Sequence, residues 1–276
     1  MIRIVTDSSA DLPTEVVDRH RITVAPLTIR FGDEEYVDRR DLDPPTFWAK
    51  LGSAQSLPET AAPSAGTFLD AFRSVHADGA SGVVAICLSS AISATYQSAV
   101  IAAEDAPLPV KVVDSRTVSM ALGLQVLHAA TAAESGADLD GVVAAALSAV
   151  EHTDILAALD TLEFLKRGGR IGGAQAFIGG LLDVKPLITF ADGAVAPAGR
   201  VRTRSKALAA LVARVSDRAS QLEAVAVMHG GGAGVEALVD AIREAVPGIE
   251  PIVAELGPVV GTHSGPGVLA VAYRTG

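Results

Sequence analysis

The segment Ile2-Arg3-Ile4-Val5-Thr6-Asp7-Ser8-Ser9 opens the chain with an apolar run that ends in polar residues. Two later segments repeat this form: Val83 to Leu88 is followed by Ser89-Ser90, and Val110 to Val113 by Asp114-Ser115. Apolar residues at consecutive positions predict strands that are covered on both faces, as in a parallel sheet. These segments therefore indicate an α/β fold.

Helical patterns separate these strands. Ser64 to Val75 repeats apolar residues at helical spacing, with Ser64 as a natural N-cap. Met120 to Glu134 and Leu139 to Val150 are alanine-rich helices. Strands that alternate with helices predict parallel βαβ units, so we expect an α/β parallel-sheet first domain over residues 1–150.

The order of elements becomes mixed after residue 150. The pattern predicts a hairpin with its turn at Asp192-Gly193. The other predicted elements are strands at Asp154 to Asp160, Ala224 to Met228 and Pro251 to Leu256, and helices at Arg204 to Ser220 and Val235 to Ala245. We therefore expect a smaller α+β second domain over residues 151–276, in tight contact with the first because no linker separates them.

Composition excludes several classes of protein. The 276 residues include 22 basic and 32 acidic side chains, a formal net charge of −10, which disfavours proteins built to bind nucleic acid or anionic membranes. No apolar run approaches the roughly 20 residues of a membrane-spanning helix. Asp7 and Asp11 interrupt any signal-peptide core, and the single Cys87 has no disulfide partner. We expect a soluble, cytoplasmic protein.

The strand ends carry many polar side chains. Because the carboxyl ends of parallel strands meet at one edge of a sheet, these side chains are predicted to lie close together. They are Asp7, Ser8, Ser9, Ser89, Ser90, Ser93, Thr95, Asp114 and Ser115. Two interpretations stay open: they cap helices and turns, or they bind a ligand.

Two other segments could join that edge. Thr60 precedes the helix that Ser64 caps, and its hydroxyl is free of that role. His263 lies among four glycines and two prolines between Gly257 and Gly267, which predicts a tight loop around the imidazole. A structural and a functional role for His263 remain equally open.

Standard cofactor motifs are missing from the sequence. There is no Walker A, zinc-protease or nucleophile-elbow motif, and the glycine-rich run from His229 to Gly234 does not fit the dinucleotide pattern. The six histidines are scattered, so we expect no metal and no cofactor. Hydroxyls beside an aliphatic interior suit an organic acid, since each buried CH₂ contributes roughly 0.8 kcal/mol.

The ordered motifs resemble the DegV family of bacterial fatty-acid-binding proteins, the lipid-carrying subunits of fatty acid kinase. The resemblance covers nearly the whole chain. Its markers are Thr6 to Leu12, Pro26-Leu27, Thr60 to Ser64, Leu88 to Tyr96, Leu162 to Ile171, Lys185-Pro186 and Gly261 to Gly267.

The resemblance implies a two-domain protein that encloses one long-chain fatty acid, such as palmitate, between its domains. It implies that Thr60 and Ser93 hold the carboxylate, with His263 close by. The carrier would present the acid to a separate ATP-dependent kinase subunit for conversion to acyl phosphate, and would itself have no nucleotide site and no catalytic activity. Two motifs depart from the family pattern, at Ala61-Ala62 and at Ala94.

Basic residues form two groups, one around Arg170 and one that includes Arg202 and Arg204. They are either a solvated face or a docking patch for an acidic kinase surface.

Two rival functions also stay open. One is an acyl hydrolase that uses Ser93, with His263 as base and Asp7 or Asp114 as its orienting acid. The other is a regulatory module with an empty pocket.

Overall fold

A computed structural model describes residues 1–54, 56–177, 184–232 and 234–276 of the chain. Ala233, part of the glycine-rich run considered above, lies outside the described residues. The strands are β1 (Ile2–Asp7), β2 (Thr23–Ala25), β3 (Thr28–Phe31), β4 (Glu34–Val37), β5 (Glu59–Ala61), β6 (Gly82–Cys87), β7 (Val110–Asp114), β8 (Thr153–Ala158), β9 (Lys185–Ala191), β10 (Ala194–Val201), β11 (Leu222–His229), β12 (Ile252–Glu255) and β13 (Leu269–Thr275). The α-helices are α1 (Thr14–Arg19), α2 (Pro44–Ser53), α3 (Ala65–Ala77), α4 (Thr95–Glu104), α5 (Ser119–Glu134), α6 (Leu139–His152), α7 (Glu163–Arg167), α8 (Arg204–Ser216), α9 (Val235–Ala245) and α10 (Pro258–Ser264).

The first sheet is parallel and has the strand order β2-β1-β6-β7. Every residue of β6 is buried, which is why its sequence is apolar without alternation. Ser64 caps α3 as predicted, because its hydroxyl accepts a hydrogen bond from the Thr67 amide at 3.1 Å. The predicted α/β fold with a parallel sheet is confirmed.

The second sheet is mixed and has the order β10-β9-β8-β13-β11-β12. Its central strand β13 was not predicted, although the apolar run from Val268 to Tyr273 is typical of a buried strand. The helix predicted to reach Ser220 ends at Ser216, with Asp217 as its C-cap. Helices α8 and α9 cover one face through Leu211 and Leu238, both fully buried.

A third, small sheet of order β4-β3-β5 was also missed by the sequence analysis. The turn between β3 and β4 contains Gly32, whose φ of 61° suits glycine. Its register pairs Ile29 of β3 with Thr60 of β5. This sheet therefore fixes the backbone on which Thr60 is carried.

Helix α5 lies between the two large sheets. It packs against β1 and β6 of the first sheet and against β8, β11 and β13 of the second. Most of its residues are buried, including Met120, Leu122, Leu124 and Val126, and its exposed residues, Thr131 and Glu134, lie near its C-terminal end. One continuous core thus crosses the division proposed at residue 150, and that division stays a prediction.

Within the described part of the chain, no helix combines the length and the apolar composition that crossing a membrane requires.

Candidate functional site

A cavity of about 880 Å³, including the space at its open mouth, lies between the two large sheets. Its wall is mainly apolar and draws on elements from both halves of the chain. Leu88 and Val118 line it from the side of the first sheet, and Ile155, Ile188 and Met228 line it from the second. The polar side chains of the wall are Thr60, Ser93, Ser119, Arg170, His263 and Ser264.

His263 lies on helix α10 rather than in the tight loop that the sequence predicted. Pro258 occupies the first turn of this helix, a favoured position for proline, and Gly265 follows its end at a φ of 74°. The imidazole Nε2 lies 2.9 Å from the Thr60 hydroxyl, across 203 residues of sequence. The structure therefore brings these two predicted site residues into direct contact.

The environment of His263 favours its neutral form. Burial, together with the positive charge of Arg170, lowers the pKa of the imidazole to about 4. Its Nδ1 is buried and has no hydrogen-bond partner among the described residues. A Cβ on Gly168 would lie 2.2 Å from this Nδ1, so only glycine leaves room for the ring.

Ser93 reaches the same cavity from the loop that precedes α4. Its hydroxyl lies 2.9 Å from the Thr95 hydroxyl and accepts a hydrogen bond from the Thr95 amide at 3.3 Å. Thr95 is buried and is absent from the cavity wall. Thr95 therefore supports Ser93, and Ser93 faces the cavity together with Thr60 and His263. We call Thr60, Ser93 and His263 the head-group cluster.

Arg170 lies in the cavity wall, whereas its predicted docking role requires a position on the surface. It is half-buried in the cavity wall, and its guanidinium donates to the carbonyls of Gly168 at 2.7 Å and Ile92 at 3.2 Å. No ion pair joins it to a carboxylate within the part of the chain that the structure describes. The cavity wall thus contains one positive charge beside His263, and docking by Arg170 stays a prediction.

Ser119 and Ser264 are cavity residues that the sequence analysis missed. The Ser119 hydroxyl already donates to the buried Asp11 carboxylate at 2.7 Å. The Ser264 hydroxyl is buried and has no partner among the described residues. The proximity of Ser264 to His263 was the only signal that could have identified it.

The other predicted polar residues form a separate group that we call the strand-end cluster: Asp7, Ser8, Ser9, Ser89, Ser90, Asp114 and Ser115. None of them lines the cavity. Asp7 is fully buried, and it accepts hydrogen bonds from the Ser9 amide at 3.0 Å, the Ser9 hydroxyl at 2.5 Å and the Leu88 amide at 2.8 Å. Burial raises the pKa of this carboxyl to about 6.

The remaining members of the strand-end cluster also bond to backbone or to each other. Asp114 accepts from Ser90 and from the Arg116 amide, and Ser115 donates to the Thr117 carbonyl at 3.1 Å. Ser8 accepts from the Leu27 amide at 3.1 Å, and Ser89 donates to the Gly193 carbonyl at 2.6 Å. These residues close the loops at the sheet edge, as the capping interpretation expects.

A hydrolase triad is not assembled. His263 forms a hydrogen bond with Thr60, and Ser93 forms its hydrogen bonds with the hydroxyl and the amide of Thr95. Neither Asp7 nor Asp114 meets the imidazole, because both carboxylates are used within the strand-end cluster. A neutral histidine with a pKa near 4 is also a weak general base at pH 7.

The second basic group is divided between surface and interior. Arg202 is exposed, whereas Arg204 is half-buried and donates to the Gly267 carbonyl. Arg204 also lies 3.8 Å from the Asp160 carboxylate.

The residues described include no group of three or more His, Cys, Asp or Glu side chains that could hold a metal ion.

Comparisons with known proteins agree on one family. A family model described as an uncharacterised protein of the DegV family matches residues 1–276. A DegV domain-containing protein of Streptomyces coelicolor is 41% identical over 282 residues, covering 99% of this chain and 98% of its own, and one of Staphylococcus aureus is 33% identical.

Two solved structures have the same fold. A DegV family protein from Thermus thermophilus, described as fatty acid binding, superposes with a TM-score of 0.90 at 33% identity and covers 99% of each chain. DegV from Bacillus subtilis, described as a fatty acid binding protein, superposes with a TM-score of 0.91 at 30% identity, covering 100% of this chain and 99% of its own.

Proposed function

The chain belongs to the DegV family, and from this premise we propose that it binds one long-chain fatty acid in the cavity between its two large sheets. The related Thermus and Bacillus proteins are described as fatty acid binding, which supports the proposal. The observation that carries it is the hydrogen bond between Thr60 and His263 at the wall of an otherwise apolar cavity.

The acyl tail would lie against the apolar wall. The cavity has a volume of about 880 Å³, which includes the space at its open mouth. Each CH₂ transferred from water contributes about 0.8 kcal/mol, so a sixteen-carbon tail needs no charged clamp along its length. Binding energy would come mainly from the tail and orientation from the head group.

The carboxylate would be held by the head-group cluster. The hydroxyls of Thr60 and Ser93 can each donate a hydrogen bond to an acceptor-only carboxylate. Neutral His263 would fix the orientation of the Thr60 hydroxyl, and the charge of Arg170 would favour the anion. A carboxylate held by charge-assisted hydrogen bonds contributes about 1.5–3 kcal/mol per bond.

We also infer that the bound acid is presented to a separate ATP-dependent kinase subunit, which converts it to acyl phosphate. The family resemblance and the exposed position of Arg202 support this step. The chain itself would act as a carrier without enzymatic activity, in keeping with the absence of a nucleotide motif from its sequence.

Solvent extraction of the purified protein, followed by mass spectrometry, tests lipid binding directly. We expect near-stoichiometric fatty acid, and an empty extract with no uptake of added acid would favour the regulatory module instead. Turnover of acyl esters that Ser93→Ala abolishes would favour the hydrolase.

Titration of lipid-free protein with palmitate tests the head-group assignment. Thr60→Ala and Ser93→Ala should each weaken binding by about 0.5–3 kcal/mol, the value of one hydrogen bond to a buried acceptor. Ser148→Ala removes an exposed hydroxyl on α6 and should leave affinity unchanged. Unchanged affinity in both cavity variants would refute the assignment.

Charge reversal tests the kinase step. Arg202→Glu should weaken association with the cognate kinase while the bound lipid is unchanged, because Arg202 is exposed and absent from the cavity wall. The double variant Arg202→Glu with Arg204→Glu should weaken it further. Lys111→Glu, an exposed reversal on β7, is the matched control. Equal loss of lipid, or unchanged association, would count against docking at this surface.

A further inference from the structure

A second pocket, of about 620 Å³ with its open space, lies at the opposite edge of the parallel sheet from the lipid cavity. Residues at the amino end of β1 line this pocket, whereas Leu88, just past the carboxyl end of neighbouring β6, lines the lipid cavity. A six-residue strand spans about 20 Å, so the two sites are separate. Three arginines line the second pocket: Arg3, Arg19 and Arg21.

Among the described residues, these guanidiniums have no carboxylate partner. No ion pair or side-chain hydrogen bond involves Arg3, Arg19 or Arg21 within the described ranges of the chain. The chain has 32 acidic against 22 basic residues, and some arginines elsewhere pair with a carboxylate, as Arg214 does with Asp154. Within the described residues, three guanidiniums that have no carboxylate partner therefore line one concavity of an acidic molecule.

The pocket keeps a positive charge. Its one acidic residue among those the structure describes is Glu134 at the end of α5, whose carboxylate lies 2.9 Å from the Nδ1 of His20. Three guanidiniums against one carboxylate leave a formal charge of +2, in a chain whose net charge is −10. The Glu134–His20 contact also ties α5 to the end of α1, where His20 lies between Arg19 and Arg21.

The chemistry of the residues that line the pocket indicates the kind of anion it binds. The planar guanidinium matches phosphate geometry, and three of them can serve the three terminal oxygens of a phosphate monoester, whereas a carboxylate offers only two oxygens. Ile4, Ala130 and Ala133 are buried residues that also line the pocket and form its apolar floor. We propose that this pocket binds a small organic phosphate monoester, its phosphate on Arg3, Arg19 and Arg21 and its hydrocarbon group on the floor.

Calorimetric titration with inorganic phosphate and with propyl phosphate tests the proposal. Ionic strength is held constant with NaCl, because exposed charges are screened by salt. We expect saturable binding of both probes, with propyl phosphate the tighter. Arg19→Gln and Arg21→Gln should each weaken it about tenfold, the loss of one charge-assisted hydrogen bond.

Arg116→Gln is the matched control. Arg116 is an exposed arginine with a left-handed backbone like that of Arg21, at φ values of 56° and 48°, but it lies at the opposite sheet edge and outside the pocket. Its replacement should leave phosphate binding unchanged. Absent binding, or equal weakening by Arg116→Gln, would overturn the proposal.

Two further measurements separate this site from its alternatives. Vesicles that contain phosphatidylglycerol report on a lipid head group as the source of phosphate, and binding to them without binding of the free probes would overturn the proposal. The fatty acid content of Arg19→Gln should equal that of the unmodified protein, since this pocket is independent of the lipid cavity. Loss of the fatty acid together with phosphate binding would indicate a general disturbance and count against a separate site.

Discussion

The head-group cluster and the strand-end cluster contain similar polar residues at the same side of the parallel sheet, yet they differ in how their hydrogen bonds are used. In the strand-end cluster, Asp7 alone accepts three hydrogen bonds from Ser9 and Leu88. In the head-group cluster, Thr60 and His263 have one bond between them, and the Nδ1 of His263 has no partner among the described residues.

This difference shows what makes a polar residue available to a ligand. A side chain whose hydrogen bonds are complete inside the protein stabilises the fold, because unpaired buried polar groups are costly. A side chain at a cavity wall that still has a free donor or acceptor can form a hydrogen bond with a ligand. We therefore expect substitutions in the two clusters to affect different properties.

The largest effect should come from Asp7→Ala, which breaks the strand-end cluster at its centre. The buried amides of Ser9 and Leu88 would lose their acceptor, and the free energy of unfolding should fall by about 3 kcal/mol or more. Urea unfolding of lipid-free protein measures this change. A loss no larger than that of Ser93→Ala would remove the distinction between the clusters.

The two clusters should next differ in the sign of their pH dependence. The raised pKa of Asp7, about 6, means that the folded state holds a proton which the unfolded state releases above pH 3.8, so this contribution to stability falls as pH rises toward 6. The lowered pKa of His263, about 4, has the opposite effect, and stability falls as pH drops from 6.5 toward 4. Each slope reaches at most about 1.4 kcal/mol per pH unit.

Urea unfolding at several pH values between 4 and 6.5 separates these contributions. Asp7→Asn should make stability rise more steeply with pH, and His263→Gln should make it fall more steeply. The unmodified protein is the reference for both slopes. Slopes that change in the same direction in the two variants would contradict the assignment of opposite protonation states.

A smaller effect, confined to the head-group cluster, is expected for Gly168→Ala. The backbone of Gly168 is right-handed helical and accepts alanine, so the added methyl acts only through its contact with His263 Nδ1 and the Phe164 carbonyl. Displacement of the ring should weaken palmitate binding about tenfold, or about 1.4 kcal/mol. Gly52→Ala, with open space around its Cβ, is the control, and equal affinity of the two variants would exclude this mechanism.

The smallest effect should follow from Ser90→Ala. The Ser90 hydroxyl donates to Asp114 at 2.5 Å at an exposed position, and its loss should cost no more than about 1 kcal/mol of stability. Palmitate affinity should not change, because Ser90 is absent from the cavity wall. A marked loss of lipid would show that the strand-end cluster also takes part in binding.

Local pattern predicted much of the fold. Consecutive apolar residues identified β1, β6 and β7, and capping residues placed the start of α3. The unpredicted strand β13 had a clear apolar signal, but its central place between β8 and β11 depends on pairings between residues 40 to 121 positions apart in the chain. Such pairings leave no local trace in one sequence.

The residue types of the candidate site could be predicted from the sequence better than their arrangement. Thr60, Ser93 and His263 were all candidates, and the structure adds the contact between Thr60 and His263 and the room that Gly168 leaves for the ring. The half-buried place of Arg170 could not be inferred, because an arginine beside glycines is as typical of an exposed turn. The helical setting of His263 had a signal in Pro258, at a favoured first-turn position.

The position of α5 between the two large sheets determines how this chain can be dissected. A fragment that ends near residue 150 would retain α5 but leave the side facing β8, β11 and β13 in water, and the complementary fragment would lack the helix that covers its sheet. Either piece would expose apolar surface of the kind that drives aggregation. Binding studies on this protein therefore require the intact polypeptide rather than its separate halves.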